Sequence, residues 1–170
     1  IGEWTPDVNK YFPLIEKAIY ETHATGLRFT HLLWHQGESD ANQKDSTRTF
    51  PGKSYREHLG ALIRVSRKAL GWDAPWFVAQ ASYHGPDDDG SADIRDAQAS
   101  VWKDGIALEG PDTDALKGEW RDGGGKGVHF SGPGLREHAA KWAEKVAPWV
   151  EKQATVARIG YTELRTDLPG

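Results

Sequence analysis

Residues 30–40 place the strongest constraint on how this chain can fold. A short apolar run with a β-branched start stops abruptly, and imidazole, amide, carboxylate and hydroxyl groups crowd around one glycine. The stretch reads Thr30, His31, Leu32, Leu33, Trp34, His35, Gln36, Gly37, Glu38, Ser39, Asp40. This pattern predicts a buried strand that delivers polar groups to the carboxyl edge of a sheet, where open α/β folds place their sites.

Helical and strand-like segments alternate along the chain. Helices are expected over residues 13–26, 55–71, about 94–103 and from Ser131 onward. Strands are expected over residues 29–35, 76–82 and 105–108, with loops over 41–54, 109–114 and 117–127. In the last helix Trp142 and Trp149 are expected in the core. The alternation predicts an α/β fold with a mainly parallel sheet, and the small number of strands suggests that N-terminal strands are missing.

The composition excludes several classes of protein. The 170 residues fit one domain, and 21 basic against 25 acidic residues give a net charge of −4. Neither sign forms a long run, which argues against nucleic acid as the main partner. Cysteine is absent, so there is no disulfide framework, thiol nucleophile or cysteine-based metal site. No apolar run is long enough to span a membrane.

The two ends of the chain suggest a piece of a longer protein. Methionine is absent and the chain opens on Ile1, so we expect residue 1 not to be a translation start. Residues 1–150 are expected to form the C-terminal part of a domain. Residues 151–170 are expected to be a tail or the start of a following element, with a strand-like run through Ile159, Tyr161 and Leu164.

Two side chains after the first strand suit catalysis. Gln36 offers a neutral NH₂ donor for a developing oxyanion, and Glu38 could act as a base or orient a histidine. Gly37 permits a sharp turn between them. In the alternative interpretation this is a strand-end turn whose polar side chains only satisfy loop amides, and composition alone leaves both interpretations open.

His129 lies between a glycine-rich loop and the last helix, where an imidazole could project into a cleft. Histidine is the side chain best suited to moving protons near neutral pH. The alternative for a lone histidine is a surface position near a helix N-terminus. That interpretation also applies to His23, His31, His58, His84 and His138.

Ser39 is a weak candidate for a nucleophile. Residues 37–41 nearly fit the G-x-S-x-G elbow, with Ala41 at the last position. The elbow requires a helix to begin at once, whereas polar residues continue here as far as Pro51.

The string from Trp34 to Ala41 resembles the third sequence block of the SGNH hydrolase superfamily. The resemblance is to the branch that contains carbohydrate esterase family 6 acetylxylan esterases and sialate O-acetylesterase-like proteins. The C-terminal histidine block of that branch is similar to Val128, His129, Phe130, Ser131, Gly134, Leu135 and His138. Further similarity is found at Ile94, Arg95, Ala97, Gln98 and over residues 110–114. The matches occur in the right order and cover about residues 1–150.

This resemblance implies a three-layer α/β/α domain that hydrolyses acetyl esters on carbohydrates without a cofactor or a metal. A serine from an N-terminal block that this sequence lacks would attack the ester, and His129 would take its proton. Gln36 would serve the oxyanion hole, and substrate contacts fall on His35, Arg95 and Gln98.

The acid partner of His129 remains open in the sequence. The superfamily usually places an aspartate three residues before the histidine, and this chain has Lys126 there. Glu38 is implied by some members of the branch and is favoured here. Asp122 is the alternative, since it could reach back through the glycine run.

The sequence therefore predicts the C-terminal part of a carbohydrate O-acetylesterase. Its expected partners are an acetylated carbohydrate and the missing segment that carries the serine, whose loss would leave the strand at 29–35 with an unpaired edge. A non-catalytic carbohydrate-binding or interaction domain on a degenerate esterase scaffold is the alternative, since the eight tryptophans would suit sugar stacking. A lipase of the same fold is a weaker option. Export to the periplasm or outside the cell is suggested by the family alone.

Overall fold

The computed structural model describes residues 1–166 except 7, 9, 28, 42–49 and 88–89, with side chains as far as residue 153. Most of the expected loop over 41–54 therefore lies outside the described residues. The helices are α1 Phe12–Ala24, α2 Gly52–Leu70, α3 Ala92–Lys103, α4 Asp122–Gly125 and α5 Gly132–Thr166. The strands are β1 Leu32–Trp34, β2 Trp76–Gln80 and β3 Leu108–Asp112, and 3₁₀ turns cover Gly2–Trp4 and Gly118–Trp120.

The described strands form one parallel sheet with β2 in the centre. The strand order is β1-β2-β3, and Leu33 of β1 pairs in register with Phe77 of β2. The pairing of β2 with β3 is also parallel, with an irregularity between Val78 and Gln80. The predicted α/β class with a parallel sheet is confirmed.

Helices cover both faces of this sheet because successive side chains of β2 point in opposite directions. Trp76 and Val78 face α2 and α3 and belong to the main core, in which Tyr55, Leu59, Leu62, Ile63, Ile94 and Val101 are buried. Phe77 faces the other way, and its ring lies 6.0 Å from the ring of Trp149 on α5. The arrangement is helix, sheet, helix, as the resemblance implies.

The position predicted for the third strand is wrong by several residues. Residues 105–107 instead finish α3, since Ile106 and Ala107 donate their backbone N–H groups to the carbonyl of Val101 and Gly105 has φ 69°. The strand runs through the segment predicted to be a loop and contains Pro111. Proline is tolerated because β3 is an edge strand of the described sheet.

The strand-like prediction for the last stretch is also wrong, because α5 continues through Ile159 and Tyr161 to Thr166. Residues 167–170 lie outside the described part. Within α5, Trp142 and Trp149 are half-buried rather than core residues, and Leu135 is exposed.

Residues 117–127, predicted to be structureless, contain a 3₁₀ turn and the short helix α4. The predicted cap of the last helix is confirmed, because Ser131 Oγ accepts a hydrogen bond from the Gly134 N–H at 3.1 Å. None of the described helices is long and apolar enough to cross a bilayer.

Candidate active site

The loops that follow the three strands are tied together at the carboxyl edge of the sheet. After β3, the Asp114 carboxylate accepts hydrogen bonds from the backbone N–H groups of Ser82 and Tyr83, at 2.8 and 2.9 Å. The hydroxyl of Thr113 lies 2.9 Å from Nε2 of His35, which follows β1. Hydrogen bonds therefore connect the loop after β3 to the loops after β1 and β2 at the base of the site.

The turn at Gln36 and Gly37 is held by buried side chains beneath it. The carbonyl of Gln36 accepts hydrogen bonds from the Tyr55 hydroxyl at 2.5 Å and from Gln98 Nε2 at 3.0 Å. Burial raises the pKa of Tyr55, so its hydroxyl remains a neutral donor. Glycine is required at position 37, since a Cβ there would lie 2.0 Å from the carbonyl oxygen of Ala81. Packing thus fixes the turn.

The side chain of Gln36 has one free donor. Its Nε2 donates to Asp40 Oδ2 at 2.6 Å, which leaves the second hydrogen of the NH₂ group for another acceptor. Its Oε1 is buried, and no described group forms a hydrogen bond with it. The oxyanion role of Gln36 remains a prediction that this second hydrogen permits.

Glu38 contacts its own turn and the neighbouring histidine. Its Oε2 accepts the Gly37 N–H at 2.9 Å, and its Oε1 lies 3.4 Å from His35 Nδ1. His35 thus lies between Glu38 and Thr113, and its side chain is 24% exposed. The preference for Glu38 as the partner of His129 does not match this geometry, because the Glu38 carboxylate is directed to His35.

Asp122 is the carboxylate that the structure places beside His129. Asp122 Oδ2 lies 3.4 Å from His129 Nδ1, and the Asp122 N–H donates to the His129 carbonyl at 2.9 Å. The two residues lie on a tight loop closed by the bridge between Arg121 and Phe130. The His129 side chain is 84% exposed, so its other ring nitrogen is open to solvent.

Arg95 and Gln98, both on α3, form hydrogen bonds with the loops at the carboxyl edge of the sheet. The Arg95 side chain is 26% exposed, and its substrate role stays a prediction. The hydrogen bonds to Asp112 at 2.9 Å raise the pKa of Arg95, which also donates to Asp114. Gln98 is fully buried, and its amide binds the N–H and carbonyl of Ala81, both at 3.0 Å. Substrate contact by Gln98 is incompatible with this burial, since backbone groups occupy its oxygen and its nitrogen.

His138 lies in an aromatic cluster at the same edge, not on the surface as expected. Its ring stacks on Phe130, with 4.6 Å between centroids, and lies 4.9 Å from the ring of His35. Burial lowers the pKa of His138 to about 4, with smaller contributions from the charges of His35 and Arg121. Trp142 Nε1 donates to its Nε2 at 3.1 Å, as the helical spacing of these two residues allows.

Three contributors to this site were not predicted from the sequence: Arg121, Tyr55 and Asp114. Tyr55 lies at the start of the helix predicted over residues 55–71, where an aromatic side chain is expected to pack without a further role. Arg121 and Asp114 lie in segments predicted to be loops, where charged residues are ordinary, and only their burial shows that they are structural. Within the part of the chain that the structure describes, no group of three or more histidine and acidic side chains could hold a metal ion.

An exposed imidazole paired with a carboxylate, at the carboxyl edge of a parallel sheet, is the arrangement with which α/β hydrolases move a proton. The family described as carbohydrate esterase, sialic acid-specific acetylesterase has a model that matches residues 1–148. The chain belongs to this family of carbohydrate esterases, which confirms the resemblance to sialate O-acetylesterase-like proteins. Searches of curated proteins and of solved structures gave no match.

Proposed function

We propose that this chain supplies the proton-transfer residues of a serine-dependent carbohydrate O-acetylesterase, with the nucleophilic serine outside these 170 residues. The observation that carries the proposal is the exposed His129 imidazole, whose Nδ1 lies 3.4 Å from Asp122 in a chain of this esterase family. With Nδ1 facing the carboxylate, Nε2 is the nitrogen that faces a serine hydroxyl.

In the proposed reaction, His129 Nε2 accepts the serine proton while the serine oxygen attacks the acetyl carbonyl carbon. Asp122 stabilises the resulting imidazolium. The bond between the acetyl carbon and the sugar oxygen then breaks, and the imidazolium returns its proton to that oxygen. His129 then takes a proton from a water molecule whose oxygen attacks the acetyl-serine. The bond between the acetyl carbon and the serine oxygen breaks, the imidazolium returns the proton to the serine oxygen, and acetate leaves.

The oxyanion of the tetrahedral intermediate is proposed to bind the second N–H of Gln36. A single donor of this kind commonly contributes about 2.7 to 4 kcal/mol to lowering the barrier. The Gly37 N–H is already bound to Glu38 Oε2, so further donors come from the serine segment.

The outer edge of β1 is the proposed position of that segment. Among the described strands β1 pairs with β2 alone, and Leu33 is 49% exposed beside the unpaired edge. A cavity of about 390 Å³ adjoins this edge and is lined by Trp4, Ile15, Leu32, Leu33, Trp34, His35, Gln36 and Trp76. An added strand would satisfy the free backbone groups of β1 and cover Leu33.

The proposed substrate is an acetylated sugar. The family description favours an O-acetylated sialic acid, whereas the branch that the sequence resembles also contains acetylxylan esterases. Acetate release from O-acetylated sialic acid and from acetylated xylan, compared at equal concentrations of acetyl groups, separates these two substrates.

One observation favours the non-catalytic alternative. Carboxylates occupy two donors of the turn: Glu38 accepts the Gly37 N–H, and Asp40 accepts one of the two hydrogens of Gln36 Nε2. A turn with most of its donors satisfied internally also fits a carbohydrate-binding domain on a degenerate esterase scaffold.

Hydrolysis of p-nitrophenyl acetate by the chain alone and by the chain mixed with the preceding segment tests the proposal. His129→Ala is the test variant, and His23→Ala, at an exposed histidine of α1, is its control. Activity that requires the segment and disappears in His129→Ala supports the split serine esterase. Activity of the chain alone would point to Ser39, and no activity in either sample would favour the binding domain.

A further inference from the structure

We infer that Arg121 is a positioning residue, whose buried guanidinium holds residues 113–130 in the shape that brings Asp122 and His129 together. The effect of Arg121 on catalysis rests on the proposed function. Its effect on the shape of the loop concerns contacts within this chain and can be tested separately.

The guanidinium binds backbone carbonyls on both sides of Asp122. Arg121 is 5% exposed, and its Nε donates to the carbonyl of Leu116 at 2.5 Å. One terminal nitrogen donates to Val128 at 2.9 Å, and the other to Thr113 at 3.3 Å. Leu116 and Thr113 precede Asp122 along the chain, while Val128 follows it. One side chain therefore fixes the start of the loop to the residue just before His129.

Two aromatic rings enclose the same guanidinium. Its central carbon lies 4.1 Å from the ring centroid of Tyr83 and 4.2 Å from that of Phe130. Phe130 directly follows His129 and forms the β-bridge with Arg121. Displacement of the guanidinium would therefore displace both chain neighbours of His129.

The choice of arginine is informative because a buried charge is costly unless it is compensated. No described carboxylate is in ion-pair contact with Arg121, and burial lowers the pKa of its guanidinium. Three carbonyl dipoles and two ring faces compensate the charge at contact distance, and the carboxylates of Asp114, Glu38 and Asp122 contribute from farther away. Only the planar fork of arginine offers several donors in one plane together with two faces for stacking. A lysine would keep the charge and lose this geometry.

Hydrogen exchange of the backbone amides in this chain tests the inference without any assay of activity. Arg121→Lys keeps the charge, and Arg121→Met removes it. Arg67→Met is the matched control, since Arg67 also donates to two carbonyls, of Ala74 and Ile106, both at 2.9 Å, and contacts no residue of the loop. The N–H groups of Asp122 and Gly127 report on the loop, because each forms a backbone hydrogen bond within it.

In both Arg121 variants, the amide hydrogens of Asp122 and Gly127 are expected to exchange at least ~10-fold faster. The reason is that loss of hydrogen bonds from a charged donor makes local opening of the loop easier. Amides of β2 should exchange at the wild-type rate. The Arg67→Met variant should leave the loop unchanged. Wild-type exchange of the loop in Arg121→Lys, or equal effects of Arg121→Met and Arg67→Met, would overturn the inference.

A second measurement separates this inference from the proposed function. In the esterase complemented with its serine segment, Arg121→Lys is expected to lower kcat at least ~10-fold with little change in KM, since it misplaces the base without touching the substrate. Faster loop exchange with an unchanged kcat would leave the positioning role supported and would overturn the proposed role of His129.

Discussion

Asp122 Oδ2 and His129 Nδ1 lie 3.4 Å apart because the chain between the two residues can turn back on itself. Gly123 and Gly124 have φ angles of 56° and 68°, in the left-handed region that favours glycine. Gly127 leaves room for the carboxylate, since a Cβ there would lie 1.5 Å from Asp122 Oδ1. The glycine run is therefore what allows an acid seven positions before the histidine to reach its ring.

Asp122→Asn is expected to lower kcat/KM by about 10²-fold or more, because an amide cannot stabilise the His129 imidazolium. Glu38→Gln should have a smaller effect, since the Glu38 carboxylate lies beside His35. The measurement is hydrolysis of p-nitrophenyl acetate by each variant with the serine segment present. A larger loss in Glu38→Gln than in Asp122→Asn would contradict this assignment and restore Glu38 as the acid.

Gly37→Ala is expected to destabilise the fold by roughly 1–3 kcal/mol, because the new Cβ would lie 2.0 Å from the Ala81 carbonyl oxygen. Gly60→Ala is the matched control within α2, where the nearest atom to a Cβ is an Arg64 nitrogen at 3.5 Å. There alanine should stabilise the helix by about 0.5–1 kcal/mol. Urea unfolding of both variants measures the change in the free energy of unfolding, which should fall for Gly37→Ala and rise for Gly60→Ala. An unchanged free energy of unfolding in Gly37→Ala would show that the turn is not tightly packed.

The architecture could be predicted from the sequence because each segment carries its own pattern. The apolar run before Gln36 and the helical spacing of residues 55–70 are local signals, and both elements are present. The third strand was misplaced because its signal depends on neighbours. Pro111 and the glycine before it suggest a loop, and pairing with β2 overrides that preference.

The site was only partly predictable for the same reason. Chemical type singled out His129 and Gln36, whereas the partner of His129 depends on the path of a glycine-rich loop that spacing does not determine. Arg121 and His138 look like surface residues in the sequence. Their burial is a product of tertiary packing around Phe130.

Tyr55→Phe is expected to cost about 1–3 kcal/mol of stability, because it leaves a buried donor without a partner. Trp34 Nε1 donates to the Tyr55 hydroxyl at 3.2 Å, and that hydroxyl donates to the Gln36 carbonyl at 2.5 Å. Tyr20→Phe, at an exposed tyrosine of α1, removes the same atom and should be neutral. Urea unfolding compares the two variants, and equal effects would show that the Tyr55 hydrogen bonds contribute nothing.

The fold is expected to lose stability as the pH falls from about 6.5 to about 4, and His138 is the main reason. Burial lowers the pKa of His138 to about 4 from the usual 6.5. Between these values the unfolded chain binds a proton that the folded protein does not, so the free energy of unfolding decreases as the pH decreases. Below about pH 4 both states are protonated and the penalty becomes constant.

Two other groups with shifted pKa values bear on the pH dependence of stability between pH 4 and 6.5. Burial also lowers the pKa of His31, which acts in the same direction. The hydrogen bond to Arg95 lowers the pKa of Asp112 below its usual 3.8, so the stability that it contributes is lost only at more acidic pH. The histidines therefore dominate the dependence between pH 4 and 6.5.

Urea unfolding at several pH values in this window, for the wild type and for His138→Gln, isolates the contribution of His138. Glutamine does not titrate, and its side-chain oxygen can still accept the hydrogen bond from Trp142. The variant should therefore lose part of the pH dependence while it keeps that contact. His23→Gln, at an exposed histidine, is the control and should keep the wild-type slope. An unchanged slope in His138→Gln would contradict the prediction, since it would mean that protonation of His138 does not oppose folding.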